Sequence, residues 1–167
     1  TSCVAVSVDG VAVAARNETL PVIPASALKL LVAAVALDVL GEDHRYTTTV
    51  LGEVDAAGNV NGNLYLVGGG DPLLSTDWWV TSNILEFPVI NATRLEDLAQ
   101  AVVDAGVRSV PGSVVGDATR YDDEYYAPSW DSDLRVSEAG PYDALLVNDA
   151  RTSLDDVADD PAVGAAQ

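Results

Sequence analysis

Ser26 and Lys29 are the two residues whose types and spacing best fit a nucleophile and its base. Lys29 is the only lysine in the 167 residues. Because positions i and i+3 share one face of a helix, the serine hydroxyl and the lysine amine are predicted to meet above the first turn. A neutral lysine amine can take the proton of a serine and so activate its oxygen. The spacing therefore predicts a Ser-Lys pair suited to covalent catalysis.

The chemistry of this pair depends on its electrostatic surroundings. A lysine side chain is ordinarily protonated at neutral pH, and burial or a second positive charge favours the neutral form. The positive end of a helix acts in the same direction. The chain offers no second lysine, and its net charge of −18 opposes a neutral amine. The Ser-x-x-Lys spacing is thus a weak signal by itself, and the neighbouring sequence has to support it.

The pair would lie at the start of a helix between Pro24 and Gly41. Pro24 prevents an earlier start, and serine is a residue type that favours the N-cap position. From Leu28 to Leu40 the residues are mostly apolar, and none is Gly or Pro. The pattern predicts a buried helix that has Ser26 as its N-cap and ends before Gly41.

A β-hairpin is predicted just before this helix, in residues 3–16. Two valine-rich runs flank Asp9 and Gly10, and Asp-Gly is typical of a two-residue hairpin turn. The hairpin would lead through a proline-containing connector into the Ser26 helix.

A second unit is predicted from about Tyr46, where alternating strands and polar turns replace the long apolar run. Thr93 and Glu96 have the spacing of a capping box, and apolar residues then recur at helical intervals up to Gly106. This pattern predicts an amphipathic helix packed on a sheet. The strands of that sheet are expected at 46–54, 63–67 and 114–117.

Composition excludes several classes of protein. Hydrophobic residues make up 49% of the chain, which is enough for a folded core. The 26 acidic residues outnumber the 8 Lys and Arg, so we expect no nucleic-acid partner, since phosphate binding needs clustered positive charge. No stretch reaches the ~18 apolar residues of a membrane span. The sequence has no methionine, so Thr1 is expected to follow a removed or trimmed segment.

The remaining motifs carry little catalytic weight. His44 is the only histidine, and a structural role near the helix end is favoured over catalysis. Cys3 is the only cysteine, so no internal disulfide is expected. The run of three glycines at 68–70 lacks the Gly-Lys-Ser/Thr ending of a phosphate loop and is expected to form a tight turn. No Cys/His cluster predicts a metal site, and no motif predicts a cofactor.

Six blocks of sequence follow one another in a distinctive order. They are 24–30 (PASALKL), 40–48 (LGEDHRYTT), 62–72 (GNLYLVGGGDP), 114–117 (VVGD), 128–130 (PSW) and 144–149 (ALLVND). Together they resemble the S13 family of D-alanyl-D-alanine carboxypeptidases, the penicillin-binding protein 4 type. Ordered matches over nearly the whole chain are far more specific than the Ser-x-x-Lys spacing.

The resemblance implies an α/β fold, more narrowly α+β, of the β-lactamase and transpeptidase-like serine peptidases. Residues 1–45 would begin the peptidase domain, and 46–167 would belong to a β-rich insertion found in this family. Ser26 would attack the carbonyl of a D-Ala-D-Ala peptide, with Lys29 as base and the Ser26 backbone N–H as part of the oxyanion hole. The partners would be peptidoglycan stem peptides and β-lactam antibiotics, and the protein would be exported to the cell envelope.

The resemblance also implies a substrate contact in the stretch 128–141. In relatives an acidic residue three positions after the tryptophan contacts the free amino group of the stem peptide. Here that position is Asp133, counted from Trp130, and both are predicted as substrate-binding residues. Relatives carry an aromatic residue five positions later, as an apolar wall of that subsite, where this chain has the acidic Glu138. A solvated acidic loop with Trp130 as a packing anchor is an equally good interpretation.

The chain also departs from the family pattern. The Ser-x-Asn and Lys-Thr-Gly motifs of the family do not occur in these 167 residues. We expect them further along a longer protein, of which this chain would be an N-terminal part without activity of its own. Two alternatives stay open. One is a serine β-lactamase or esterase that shares the Ser-Lys helix, and the other is a non-catalytic envelope protein that keeps the fold as a binding module.

Overall fold

The computed structural model describes residues 2–82, 89–135, 140–153 and 156–167. The chain divides into two compact units, residues 1–44 and 45–167. In chain order the helices and strands are β1 (Val4–Val8), β2 (Val11–Arg16), α1 (Leu28–Leu40), β3 (Thr49–Leu51), β4 (Leu64–Val67), β5 (Leu74–Ser75), α2 (Asp77–Val80), β6 (Thr93–Arg94), α3 (Leu95–Asp104), β7 (Val114–Asp117) and α4 (Pro161–Ala165). Three short 3-10 turns lie at Ala25–Ala27, Ser132–Leu134 and Asn148–Ala150. In the described part of the chain, no helix is both long and apolar enough to cross a membrane.

The first unit begins with the predicted hairpin, which the structure confirms. β1 and β2 pair in antiparallel fashion up to Val8 and Val11. Asp9 and Gly10 have φ values of 51° and 78°, the left-handed conformation that both central residues of a type I′ turn require. The register shifts after Val6, which places a β-bulge in the hairpin.

The predicted helix after the hairpin is present as α1, but two details of the prediction are wrong. Ser26 is not the N-cap, because it lies in the 3-10 turn before α1, where the Ala27 N–H bonds to the Pro24 carbonyl at 3.0 Å. Nor is α1 buried, since none of its residues is buried in this chain. The helix is apolar on almost every side, and the unit that contains it supplies only one two-stranded hairpin as covering surface.

The second unit is built on the three-stranded sheet β3-β4-β7. β3 runs antiparallel to β4, and β4 runs parallel to β7. Side chains alternate along β4, with Leu64 and Leu66 buried and Tyr65 exposed, as expected for a sheet with one face on the core. β7 has the bounds predicted from the sequence. The buried core cluster consists of Leu66, Leu74, Leu145, Val147 and Ala162.

Helix α3 is present where the apolar spacing predicts it, but the predicted capping box is wrong. Thr93 belongs to β6, where its N–H bonds to the Leu73 carbonyl at 2.9 Å. The N-cap of α3 is Arg94, which makes no side-chain cap. Glu96 instead accepts the backbone N–H of Asp77 at 2.8 Å. A strand pairing and the start of α2 thus take the groups that the sequence assigns to the cap.

The glycine run at 68–70 is where the chain passes close to other backbone. A Cβ on Gly68 would overlap the carbonyl group of Ala144, and one on Gly69 would overlap the backbone of Thr47. The Gly70 N–H bonds to the Ala144 carbonyl at 2.8 Å. These glycines therefore let the segment that carries Ala144 and Leu145 lie against the end of β4.

Asp143 is a buried carboxyl group next to this segment, with 9% of its surface exposed. Burial raises its pKa above the ordinary value of 3.8, the Ala144 N–H opposes that effect, and the carboxylates of Asp160 and Asp123 add to it. The three carboxyl groups of Asp123, Asp143 and Asp160 line a cavity of about 300 Å³. The ionised form of Asp143 therefore destabilises the fold.

We predict that Asp143→Asn stabilises the second unit at neutral pH and has little effect near pH 4. The unfolded carboxyl ionises near its ordinary pKa of 3.8, while the folded one keeps its proton to higher pH. The wild-type penalty therefore develops as the pH rises through that window, and the asparagine variant does not have it. Urea unfolding at pH 4 and pH 7 measures the difference.

Asp97→Asn, on the exposed surface of α3, is the control for removing one negative charge from an acidic protein. The destabilising role of ionised Asp143 would be contradicted if the wild type had the higher free energy of unfolding and its lead over Asp143→Asn grew with pH.

Candidate active site

Ser26 and Lys29 are brought together by local structure. Ser26 lies in the 3-10 turn Ala25–Ala27, and Lys29 is the second residue of α1. The Lys29 Nζ donates a hydrogen bond to the Ser26 Oγ over 3.1 Å. The contact predicted from the spacing is thus present. For Lys29 to act as a base the hydrogen bond must reverse, with the serine hydroxyl donating to a neutral amine.

The backbone before Ser26 is unusual. Pro24 has helical dihedral angles, whereas Ala25 has a φ of 46°. The left-handed region costs an alanine about 1 to 2 kcal/mol. Residues in such conformations concentrate at functional sites, where the surrounding structure compensates for the strain. The turn also places the Ser26 N–H among the first amide groups of a helical segment, which have no acceptor within the helix.

Trp130 and Asp133 lie in the second unit, in one loop. The side chain of Trp130 is 36% exposed, and its backbone N–H bonds to the Ala127 carbonyl at 3.0 Å. Asp133 is exposed in the 3-10 turn Ser132–Leu134. Close by, the guanidinium of Arg135 lies 4.9 Å above the ring of Tyr126. The loop is therefore tied to its own unit by local contacts.

Glu138 and His44 were also singled out from the sequence. Glu138, which replaces the aromatic residue of the relatives, lies outside the described residues. His44 lies beyond the end of α1 at Leu40, and its backbone N–H bonds to the Gly41 carbonyl at 3.4 Å. The residues that the structure describes contain no group of three or more His, Cys, Asp and Glu side chains suited to a metal ion.

A polar cluster around Thr76 and Asn148 is the feature that the residue pattern did not predict. Asn148 is 7% exposed, and its Oδ1 accepts from the Thr76 N–H at 2.8 Å and from the Thr76 hydroxyl at 3.2 Å. The Asn148 Nδ2 donates back to the Thr76 Oγ1 at 3.0 Å. In the sequence, this cluster was indicated only by the block 144–149, one of the six that resemble the S13 family. No periodicity could have indicated it, since Thr76 and Asn148 are 72 residues apart.

Asp149 lies beside this cluster. Its burial raises its pKa, and the positive charge of Arg151 and a hydrogen bond from the Trp79 side chain oppose that effect. The backbone from Asn148 to Ala150 is left-handed at every residue. The cluster thus combines a buried amide, a partly buried carboxyl group and an unusual backbone.

Comparison with known proteins gives consistent results. Residues 2–165 match the model of the D-Ala-D-Ala carboxypeptidase 3 (S13) family. The D-alanyl-D-alanine carboxypeptidase of Actinomadura sp. (strain R39) is 39% identical over 110 residues, which cover 65% of this chain and 17% of that protein. Carboxypeptidase Rv3627c of Mycobacterium tuberculosis is 32% identical over 142 residues, covering 81% of this chain and 28% of that protein. The chain therefore spans less than a third of the length of these relatives.

A solved structure shows the fold. The chain matches the crystal structure of penicillin binding protein 4 (dacB) from Haemophilus influenzae with a TM-score of 0.63 at 22% identity, over 84% of this chain and 28% of that one. The match confirms the predicted α+β fold of the transpeptidase-like class.

Proposed function

The chain belongs to the D-Ala-D-Ala carboxypeptidase 3 (S13) family, and from this premise we propose that it is part of a serine-type D-alanyl-D-alanine carboxypeptidase and endopeptidase. The substrates would be peptidoglycan stem peptides, and β-lactam antibiotics would react at the same residue. The observation that supports the proposal most directly is the 3.1 Å contact between the Lys29 Nζ and the Ser26 Oγ. This contact brings a nucleophile and a base within proton-transfer distance.

The proposed reaction has two stages. Ser26 Oγ attacks the carbonyl of the D-Ala-D-Ala peptide bond while its proton passes to the neutral amine of Lys29. The Ser26 N–H stabilises the oxyanion, the C–N bond breaks, and the proton moves to the leaving amine, which releases D-alanine. Water then attacks the carbonyl of the acyl ester and the bond between the acyl carbon and the Ser26 Oγ breaks. A proton from that water restores the serine hydroxyl, and the shortened peptide leaves as a carboxylic acid. In a β-lactam the first stage opens the ring instead.

These 167 residues do not contain every group that this reaction uses. The Ser-x-Asn and Lys-Thr-Gly motifs of the family do not occur among them, and Lys29 has no second lysine beside it. We therefore assign residues 1–45 to the peptidase domain and 46–167 to the inserted domain of a longer enzyme, in which other segments supply those motifs. The exposed apolar surface of α1 supports this assignment, because a helix of that composition is normally covered by protein.

The same proposal assigns the location. Peptidoglycan lies outside the cytoplasmic membrane, so the enzyme would be exported to the cell envelope. The excess of acidic residues, with a net charge of −18, suits a protein that works in a solvated extracellular compartment.

We predict that Ser26→Ala in the full-length protein abolishes labelling by a fluorescent penicillin and that Lys29→Ala slows it by about a thousandfold or more. The two residues form one proton-transfer unit, so removing either leaves the other ineffective. The measurement is the second-order rate of acylation. The 167-residue chain on its own should not be labelled.

Ser7→Ala, in the exposed strand β1, is the matched serine control and should label like the wild type. Near-normal labelling of Lys29→Ala would remove Lys29 from the role of base. Absence of labelling in the full-length wild type would favour a non-catalytic binding module over the peptidase.

A second prediction concerns substrate selection by Asp133. If its carboxylate binds the free amino group of the stem peptide, Asp133→Ala should reduce kcat/KM by about 10-fold to 100-fold, the scale of a charge-assisted hydrogen bond. The loss should be confined to substrates with the free amine. A matched substrate with that amine acetylated should be hydrolysed almost as well as by the wild type.

Asp131→Ala, an exposed acidic residue of the same loop, is the control for a general loss of negative charge. Equal losses for the two substrates would mean that Asp133 supports the loop without contacting the substrate amine.

A further inference from the structure

A cavity of about 390 Å³ opens beside the side chain of Trp78 in the second unit. Its wall also includes Thr76, Asn148, Arg151 and Thr152. An indole next to the hydroxyl of Thr152 and the guanidinium of Arg151 suits a sugar ring, whose C–H face stacks on the aromatic surface while its hydroxyls form hydrogen bonds. We propose that this cavity binds a neutral hexosamine glycan, the sugar strand that carries the stem peptides. The identity of this glycan rests on the proposed function.

Trp78 is held at the surface by the packing of its neighbour. Trp79 is 4% exposed, whereas Trp78 is 43% exposed, and their ring centroids lie 5.8 Å apart. Successive residues of an α-helix point about 100° apart, so burial of Trp79 in the core turns Trp78 outward. A large indole face is thus left in contact with solvent at the edge of a cavity. Such a position is typical of an aromatic residue that contacts a ligand.

The helix that carries Trp78 is fixed before any ligand arrives. α2 is only 4 residues long, too short to be stable alone. Its start is held by the bond from the Thr76 N–H to Asn148 and by the bond from the Asp77 N–H to Glu96, each 2.8 Å long. An ion pair of 2.7 Å between Arg94 and Asp77 adds a third tie. A preorganised aromatic platform loses little conformational entropy on binding.

Asn148 and Ala150, from one left-handed turn, form another part of the wall. Asn148, Asp149 and Ala150 have φ values of 55°, 55° and 61°. Asn and Asp adopt this conformation more readily than other residues, but it costs an alanine about 1 to 2 kcal/mol relative to ordinary backbone. The Arg151 N–H closes the turn on the Asn148 carbonyl at 3.0 Å. The turn directs Asn148 and Arg151 to the same cavity as Trp78. Backbone strain of this kind is retained where it positions functional groups.

Charge and polarity narrow the class of ligand. The chain carries a net charge of −18, which disfavours association with an anionic polymer such as a phosphate-linked polyol. The hydroxyl of Thr152 and the guanidinium of Arg151 line the cavity and disfavour a purely apolar ligand, which would displace the water around them. A neutral sugar satisfies both conditions, and an acetamido group offers a donor and an acceptor to the polar wall.

The test is a titration of the chain with the β-1,4-linked tetrasaccharide of N-acetylglucosamine, followed by the NMR signals of the tryptophan indole N–H groups. We expect the signal of Trp78 to shift saturably and that of Trp130 to stay unchanged. Trp78→Ala should weaken binding by about tenfold or more, and Trp78→Phe should retain part of it. Thr152→Val, which removes one hydroxyl from the wall without changing α2, should weaken binding about threefold to tenfold.

Trp130→Phe is the matched control, because Trp130 is the other exposed tryptophan of the described chain, and it should bind like the wild type. Absence of saturable binding by the wild type would overturn the proposal, as would equal affinities for the wild type, Trp78→Ala and Thr152→Val. Penicillin labelling of the full-length wild type reports separately on Ser26. Labelling of the full-length protein without binding of the tetrasaccharide by the chain refutes the glycan site alone, and binding by the chain without labelling of the full-length protein refutes only the peptidase.

Discussion

The second unit depends on the hydrogen bonds between Asn148 and Thr76, which join segments 72 residues apart in sequence. On each side of this junction the chain supplies core residues, with Leu74 before Thr76 and Leu145 and Val147 before Asn148. A buried amide without its partner costs about 1 to 3 kcal/mol, so the two segments are held in one register by a polar contact as well as by apolar packing. The left-handed turn at Asn148–Ala150 is the conformation in which the amide reaches Thr76 while Val147 stays in the core.

Local physical rules account for the elements that could be predicted from the sequence. The type I′ turn follows from Asp9 and Gly10, which need no tertiary partner to adopt left-handed φ values. Helix α3 occurs where apolar residues recur at helical spacing, and strand β7 occurs at the two valines that follow the turn at Pro111 and Gly112. The contact between Ser26 and Lys29 belongs to the same group, because two residues of one helical turn meet whatever surrounds them.

The features that could not be predicted are those decided by distant segments. Thr93 and Glu96 have the spacing of a capping box, but Thr93 pairs with a strand, and Glu96 binds the start of α2. No local pattern distinguishes these outcomes, since in both the Thr93 N–H and the Glu96 carboxylate have a hydrogen-bond partner. The prediction that α1 is buried failed for a related reason. Its composition requires a covering surface, and composition alone does not say which part of a protein supplies it.

Under the proposed function, the exposed surface of α1 and the catalytic groups missing around Ser26 would have one physical cause. The Ser26–Lys29 contact needs only the turn and the start of α1, but catalysis also needs a neutral amine, a second oxyanion donor and exclusion of water. Each of these comes from groups packed around the pair, and those groups would lie against the same apolar surface of α1. In the proposed enzyme, the same packed groups would therefore cover the apolar surface of α1 and complete the catalytic site. In that enzyme α1 would contribute one wall of the site, and the reactivity of Ser26 would depend on the protein that covers it.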